Sequence, residues 1–246
     1  MGVNRATDLS PELKGVEKQG RRTISASITA RADFVARSLR NLGVDDTHVD
    51  AAVQKVFLLA LREELGLAAI DDEASLFRAA ARVAAQARRR WPRRASTTVS
   101  HRSRLDAVLD SFPEDLREVF VLCEIEQRDT AWAATALGHH TAWARTRLRR
   151  AHRAYCAKLG VDPETRRSEC LAQTLDGDAA LVLEAGRGVT ASSRAKERSL
   201  HAVDAVTSTS LLGRATLLLS TVSLAVFLAL ALALAGGAYL LLRALR

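Results

Sequence analysis

The sequence is poor in cysteine and has no pattern that would pair the few cysteines present. These are Cys123, Cys156 and Cys170, so the count is odd, and no Cys-x-x-Cys pair occurs. A disulfide framework and a four-cysteine zinc site are therefore excluded. His152 lies four residues before Cys156, as two metal ligands on one helix face would, but no further cysteine or histidine follows nearby to complete a tetrahedral set. We expect no metal site, no cofactor and a reducing compartment.

The sequence also lacks strand, repeat and export signals. No segment shows the two-residue alternation of a half-buried strand, and no internal repeat of useful length occurs. The first residues, MGVNRATDLSPELKG, have no apolar core of the kind that a secretory signal needs. We therefore expect an all-α fold whose water-soluble part stays in the compartment where it is made.

Charge is missing from one long segment. Residues 215–242, ATLLLSTVSLAVFLALALALAGGAYLLL, contain no charged side chain, and Arg214 and Arg243 lie at the two ends. A helix rises about 1.5 Å per residue and the hydrocarbon core is about 30 Å thick, so about 20 apolar residues span it. A buried hairpin in a globular core is the alternative, but a run of this length is hard to bury. The pattern predicts a C-terminal transmembrane helix over residues 214–243.

Positive charge, in contrast, is abundant. The formal net charge is +8, which points to a polyanionic partner, either nucleic acid or the anionic face of a membrane. Charge alone does not distinguish these two partners.

Composition and hydrophobic periodicity divide the water-soluble part into segments. Apolar residues at three- and four-residue spacing predict three helices before Pro92, the third from Glu73 to Arg90. The segment RRASTTVSHR that follows has no apolar periodicity and indicates a linker. The predicted organisation is a flexible leader (1–28), a three-helix domain (29–91), a linker (92–103), a second helical domain (104–160), a stalk with room for one helix (161–213) and the transmembrane helix (214–243).

The second domain contains a helix-turn-helix pattern with a basic second helix. The pattern predicts a short helix from Thr130 to Leu137, a tight turn at Gly138-His139-His140 and a long helix from Thr141 to Leu159. In such a motif the first turns of the second helix enter the major groove, and later arginines lie near phosphates. An ordinary arginine-rich solvated helix is the alternative interpretation. The candidate DNA-binding residues of this helix are Thr141, Trp143, Arg145, Thr146, Arg147, Arg149 and Arg150.

The helix-turn-helix belongs to a longer stretch with a family pattern. Residues 112–154, FPEDLREVFVLCEIEQRDTAWAATALGHHTAWARTRLRRAHRA, resemble region 4 of the extracytoplasmic-function sigma factors of bacterial RNA polymerase. The matching positions are Phe112-Pro113, Arg117-Glu118-Val119-Phe120, Ala134, Leu137-Gly138, Arg147-Leu148 and Ala151. The resemblance implies that this region binds the upstream promoter element as a duplex.

The first domain is similar to region 2 of the same family, so the resemblance covers about residues 30–159. Val53-Gln54-Lys55-Val56-Phe57 is similar to the family's Val-Gln-Glu-Val-Phe signature, and SLFRAAARVAAQARRR, residues 75–90, is similar to the segment that handles the opened promoter. The resemblance implies polymerase contacts by Asp50, Val53, Gln54 and Phe57, and contacts to the opened promoter strand by Arg82, Arg88, Arg89 and Arg90.

Several positions depart from the family pattern. Ser75 and Arg82 stand where the family has tryptophan and asparagine, and Trp132 and Trp143 stand where it has glutamate and threonine. The family's aspartate before the glutamine is replaced by Ala51. These departures leave open an alternative function without promoter melting. The chain would then be a sigma-like helical membrane adaptor, or a DNA-binding regulator that uses only the second domain. Trp132 is expected to pack the two helices together, whereas Trp143 either packs or faces the groove.

The resemblance and the uncharged segment together predict a membrane-anchored sigma factor. Such a protein is not an enzyme; it binds core RNA polymerase and promoter DNA and directs transcription initiation. We expect a single-pass protein of the cytoplasmic membrane with the N-terminal domains in the cytoplasm, because a nucleic-acid reader is useful only there. An anti-sigma factor, or a protease that acts on the stalk, would be a further partner.

Overall fold

The fold of the described residues is entirely helical. The computed structural model describes residues 11–63, 68–91, 100–161 and 177–207, and within these ranges it contains helices and turns but no strand. The expected all-α fold class is thereby confirmed for this part of the chain. The predicted transmembrane helix, residues 214–243, lies outside the described residues. Among the described helices, none is both long enough and apolar enough to cross a bilayer.

Two groups of helices and a C-terminal segment follow one another along the chain. The first group consists of α1 (Pro11–Asn41), α2 (Asp46–Glu63), α3 (Ala68–Asp71) and α4 (Glu73–Arg90). The second group consists of α5 (His101–Asp110), α6 (Glu114–Phe120) with a π-helical turn (Val121–Ile125), α7 (Thr130–Ala136) and α8 (Thr141–Leu159). The C-terminal segment contains α9 (Gly177–Arg187), and residues 193–207 are also helical.

The chain divides by its contacts into two units, residues 1–202 and residues 203–246. Both helical groups belong to the first unit, and so does α9. The predicted division into a domain at 29–91 and a domain at 104–160 stays a prediction. Two findings concern the predicted flanking segments: α1 already begins at Pro11, within the predicted leader, and α9 lies within the predicted stalk.

Apolar side chains of α1, α2 and α4 form the core of the first group. Leu39 of α1, Val53 and Phe57 of α2, and Leu76 and Phe77 of α4 are all 0% exposed. Val53 and Phe57 are four residues apart and so share one face of α2. The buried faces hold the three helices around a common core.

Aromatic rings form the core of the second group. Phe120 lies 5.3 Å from Tyr155 and 5.5 Å from Phe112, measured between ring centroids. The Tyr155 side chain is fully buried, and its hydroxyl donates a hydrogen bond to the carbonyl oxygen of Ala179 in α9 (2.8 Å). The C-terminal segment is thus tied to the core that carries α8.

Local signals determine where several of these helices begin and end. The Asp72 carboxylate accepts hydrogen bonds from the backbone N–H groups of Ala74 (3.2 Å) and Ser75 (3.0 Å), which caps the start of α4. Gly43, two residues after the end of α1, has φ +101°, and Gly160 has φ +69° directly after α8. Only glycine adopts this left-handed backbone without steric cost, so both residues end their helices.

Candidate nucleic-acid interface

The helix-turn-helix is built from local capping contacts and small buried side chains. The Asp129 carboxylate accepts the backbone N–H of Trp132 (2.7 Å) and starts α7. Gly138 has φ +72° in the turn, and the Nδ1 atom of His140 accepts the backbone N–H of Trp143 (3.0 Å), which starts α8. These contacts fix both ends of the turn that precedes the basic helix.

Alanines let α7 and α8 pack closely. Ala133, Ala134 and Ala136 of α7 and Ala144 of α8 are at most 1% exposed, and Leu148 is 4% exposed. Side chains of this size allow a short distance between two helix axes. The side of α8 that carries Ala144 and Leu148 therefore faces the protein, and the opposite side faces solvent.

The solvent-facing side of α8 carries an arginine stripe, which we define as Arg145, Arg149, Arg150 and Arg153. All four side chains are exposed. Arg145, Arg149 and Arg153 are spaced by four residues and so follow one line along the helix. None of the four forms an ion pair within the described part of the chain. This stripe can approach a row of phosphates without first breaking a contact inside the protein.

Three of the predicted DNA-binding side chains of α8 make contacts inside the protein. The Trp143 ring stacks on the His139 ring with 3.8 Å between centroids, and the Arg147 guanidinium lies 5.5 Å from the Trp143 ring centroid. Arg147 also forms an ion pair with Asp115 of α6 (2.5 Å). The Thr146 hydroxyl donates to the backbone carbonyl of Ala142 (2.9 Å). The first turns of α8 are therefore held in place by contacts with neighbouring residues of the protein.

Trp132, the other tryptophan of the motif, lies in α7. Its side chain is half-buried, and the Arg128 guanidinium lies 5.3 Å from its ring centroid. The expectation that Trp132 packs α7 against α8 stays a prediction. Thr141, at the start of α8, is also half-buried.

Four arginines of α4 are predicted to contact the opened promoter strand, and one of them makes contacts inside the protein instead. Arg82, Arg89 and Arg90 are exposed. Arg88 instead donates to the carbonyl oxygen of Leu42 and forms an ion pair with Glu114 of α6 (2.8 Å). Arg88 thus links the two helical groups in this conformation.

An exposed aromatic ring follows these arginines. Trp91 is 44% exposed, stacks on His48 at 4.5 Å between centroids, and lies 4.9 Å from the Arg90 guanidinium. Ser75 is 3% exposed and donates its hydroxyl to Asp72. The end of α4 therefore presents a tryptophan beside basic side chains, whereas Ser75 serves the helix cap.

The four predicted polymerase-binding residues of α2 do not share one exposed face. Val53 and Phe57 are 0% exposed and belong to the core. Asp50 and Gln54 reach the surface in part, on the same side of the helix. Asp50 accepts a hydrogen bond from the hydroxyl of Ser192 (2.8 Å). In this conformation Val53 and Phe57 pack in the core. Of the four predicted residues, only Asp50 and Gln54 can contact a partner directly.

Ionic contacts across the two helical groups were not expected from the sequence. Arg37 of α1 binds Glu126 through two hydrogen bonds (2.9 and 2.6 Å), and Arg40 of α1 binds Asp106 of α5 through two more (3.2 and 2.8 Å). Such paired arginine–carboxylate contacts fix geometry as well as charge. The two members of each pair are far apart in sequence, so no local spacing could have identified them.

No cluster of three or more histidine, cysteine, aspartate or glutamate residues suited to a metal occurs within the described residues. His152 pairs with the buried Glu124 through Nε2 (2.7 Å), and Cys123 and Cys156 are both buried.

Comparison with known proteins returned no relative. No protein-family model, no curated protein and no solved structure matches the chain. The helix-turn-helix, the arginine stripe and the α4 terminus are therefore properties read from this chain alone, and they carry the functional interpretation.

Proposed function

We propose that the chain is a transcription-initiation factor similar to the extracytoplasmic-function sigma factors, which binds core RNA polymerase and directs it to promoter DNA. The observation that carries the proposal is the arginine stripe on the second helix of a capped helix-turn-helix. The second helix of such a motif lies in the major groove, and flanking arginines bind phosphates. The exposed stripe and the net charge of +8 fit a duplex DNA partner.

The end of α4 supports a role with the opened promoter strand. Single-stranded DNA is bound by basic grooves that also offer aromatic rings on which bases stack. Arg89, Arg90 and Trp91 combine these features at one helix end. We assign Arg82 and these three residues to the opened strand, and α2, through Asp50 and Gln54, to the polymerase.

The proposal includes attachment to the cytoplasmic membrane. Its support is the uncharged stretch of residues 215–242, which is long enough to span a bilayer as a helix. The two helical groups would then lie on the cytoplasmic side, where DNA and polymerase are found.

A second candidate function comes from a different class. Val53, Phe57, Arg88 and Arg147 all make contacts within the protein, which favours a helical membrane adaptor that keeps a sigma-like core but binds a protein partner. The adaptor has no need of the arginine stripe. DNA binding through this stripe therefore separates the two candidates.

The test measures DNA affinity of the full chain, kept in solution by a non-ionic detergent, against salt. The probe is a random-sequence duplex of about 30 base pairs, because phosphate contacts are independent of sequence. Replacing Arg149 and Arg150 together by alanine should reduce the slope of log K against log salt by about 2, since each lost phosphate contact removes about 0.9. The matched control replaces the exposed Arg62 and Arg198 by alanine. Equal slopes for both double variants, or no binding by the unmodified chain, would refute DNA binding by α8.

A further inference from the structure

The C-terminal segment of the first unit, residues 177–202, packs across the seam between the two helical groups. Asn41 at the end of α1 donates through Nδ2 to the carbonyl oxygen of Gly186 (3.0 Å), and Arg102 of α5 donates to Asn41 Oδ1 (2.8 Å). Arg187 donates through Nε (3.1 Å) and Nη2 (2.6 Å) to the carbonyl oxygen of Glu124. The end of α9 therefore contacts α1 in the first group and the π-helical turn in the second.

The contact at Gly186 leaves no room for a side chain. A Cβ atom at this position would lie 2.7 Å from Leu105 Cδ2, 3.1 Å from Ile125 Cδ1 and 3.3 Å from Asn41 Oδ1. Real Cβ atoms do not approach other atoms as closely as the first of these distances, so a larger residue must displace α9 or its neighbours. The absence of a side chain at Gly186 is thus what permits the close approach.

The following residues lie on the α1–α2 face. The backbone N–H of Ala191 donates to Asp33 of α1 (2.9 Å), and Lys196 forms an ion pair with the same carboxylate (3.0 Å). Ser192 donates its hydroxyl to Asp50 of α2 (2.8 Å). Asp50 is one of the two α2 residues assigned above to polymerase contact, so the segment occupies part of that surface.

These contacts differ in strength along the segment. Val182 and Leu183 of α9 are at most 2% exposed, so this part is anchored by apolar burial. The Lys196–Asp33 pair is partly exposed, with 27% and 39% of the two side chains accessible, and exposed ion pairs contribute little to stability. The part that covers Asp50 buries small side chains, Ala191 (9% exposed), Ala195 (0%) and Ser199 (0%), so it can open at lower cost than α9.

We propose that residues 177–202 act as an intramolecular clasp, which covers the Asp50 side of α2 and holds the two helical groups together until it is released for polymerase binding. The consequence for polymerase rests on the function proposed above. If only the released form binds, the apparent affinity for core polymerase falls in proportion to the fraction of molecules that are released. Changes that loosen the clasp should then strengthen polymerase binding without adding any contact to the polymerase.

The first test replaces Gly186 by valine in the full chain. Gly188 provides a matched control, because a Cβ there would meet only the Glu184 carbonyl oxygen, at 3.9 Å. We expect Gly186→Val to speed hydrogen exchange in residues 177–202 while α2 and α4 stay protected, and to raise affinity for core RNA polymerase of the source bacterium by about tenfold. Gly188→Val should leave both quantities unchanged.

The second test uses charge, since Gly186→Val could disturb the fold more widely. Lys196→Asp places two carboxylates together at Asp33 and should raise polymerase affinity by about two- to fivefold. The double variant with Asp33→Lys and Lys196→Asp restores the opposite-charge pair but not the acceptor for the Ala191 N–H, and should return the affinity part of the way to that of the unmodified chain. Neither residue lies among those assigned to polymerase or DNA contact.

Three outcomes decide between the proposals. Faster exchange in residues 177–202 with tighter polymerase binding supports the clasp. If the unmodified chain binds polymerase, and the loosened variants bind it equally well, the clasp is refuted while the proposed function stands. If exchange confirms loosening but no form of the chain binds core polymerase, the proposed function fails, and with it the role of the clasp.

Discussion

Glu118 on α6 makes the stability of the fold depend on pH. Burial raises the pKa of Glu118 from 4.5 to about 7, and the neighbouring Glu114 carboxylate adds to the rise. The folded chain therefore keeps a proton on this carboxyl group that the unfolded chain releases. The stabilisation from the protonated form is complete below pH 4.5 and is lost as the pH rises through about 7.

The size of the effect follows from the difference between the two pKa values. A rise from 4.5 to about 7 corresponds to about 3 kcal/mol at 1.36 kcal/mol per pH unit. The side chain keeps some contact with solvent, which reduces the cost of its charge. We therefore expect Glu118→Gln, which keeps the shape and removes the charge, to raise the free energy of unfolding at pH 8 by about 1–3 kcal/mol. At pH 5 we expect a smaller gain, about 0.5–1 kcal/mol, because Glu118 is then protonated in the folded chain and the pH lies only slightly above the pKa of 4.5 in the unfolded chain.

Urea unfolding of the full chain at both pH values measures this difference. Glu197→Gln is the control, since Glu197 is exposed and its substitution removes the same charge. A gain that is equal at pH 5 and pH 8, or a loss of stability at pH 8, would refute the assignment of a raised pKa to Glu118.

Two further substitutions test the polar contacts that hold the fold together. Arg117 is 6% exposed and donates hydrogen bonds to the carbonyl oxygens of Leu109 (2.8 Å) and Phe112 (3.1 Å); Arg117→Met leaves these groups buried without that partner and should lower the free energy of unfolding by about 2–4 kcal/mol in urea titrations. A loss below about 1 kcal/mol would show that the carbonyl groups find other partners. Asp129→Ala removes the cap of α7 and should cost about 1 kcal/mol, whereas Asp129→Asn should cost less because asparagine also caps helices. Equal losses for the two Asp129 variants in the same titrations would contradict the capping role.

The sequence predicts those helices best whose ends are determined locally. α4 begins at Glu73 and ends at Arg90, and α8 runs from Thr141 to Leu159, as their patterns indicate. The cap at Asp72 and the left-handed Gly160 lie within a few residues of the helix ends that they determine. The residues that start and end these helices can therefore be identified from a single sequence.

The early start of α1 and the packing of α9 have no such local signal. The first residues of α1 carry no apolar stripe, so the sequence pattern does not distinguish that helix from a leader. The apolar residues of α9 predict one helix, but not that it would pack on α5 and contact Asn41. Packing against distant segments decides where α9 lies, and hydrophobic periodicity does not report such contacts.

In the candidate site, too, the features set by spacing along one helix could be predicted, whereas contacts between helices could not. The helix-turn-helix and the arginine stripe follow from spacing, because a helix position determines which way a side chain points. The internal contacts of Arg88 and Arg147 depend on Glu114 and Asp115, which belong to a different helix. Likewise, the hydrogen bond from Ser192 to Asp50 joins residues 142 positions apart. The sequence of α2 alone could not have shown that Ser192 contacts Asp50.

Initiation by core RNA polymerase tests the central claim most directly. The full chain in detergent is combined with core polymerase of the source bacterium and a pool of its genomic DNA fragments, and the 5′ ends of the transcripts are mapped. We expect transcripts with defined start sites that require the chain, and a larger yield with Gly186→Val. Transcripts with no preferred start site from both forms, together with no binding of either form to core polymerase, would contradict it.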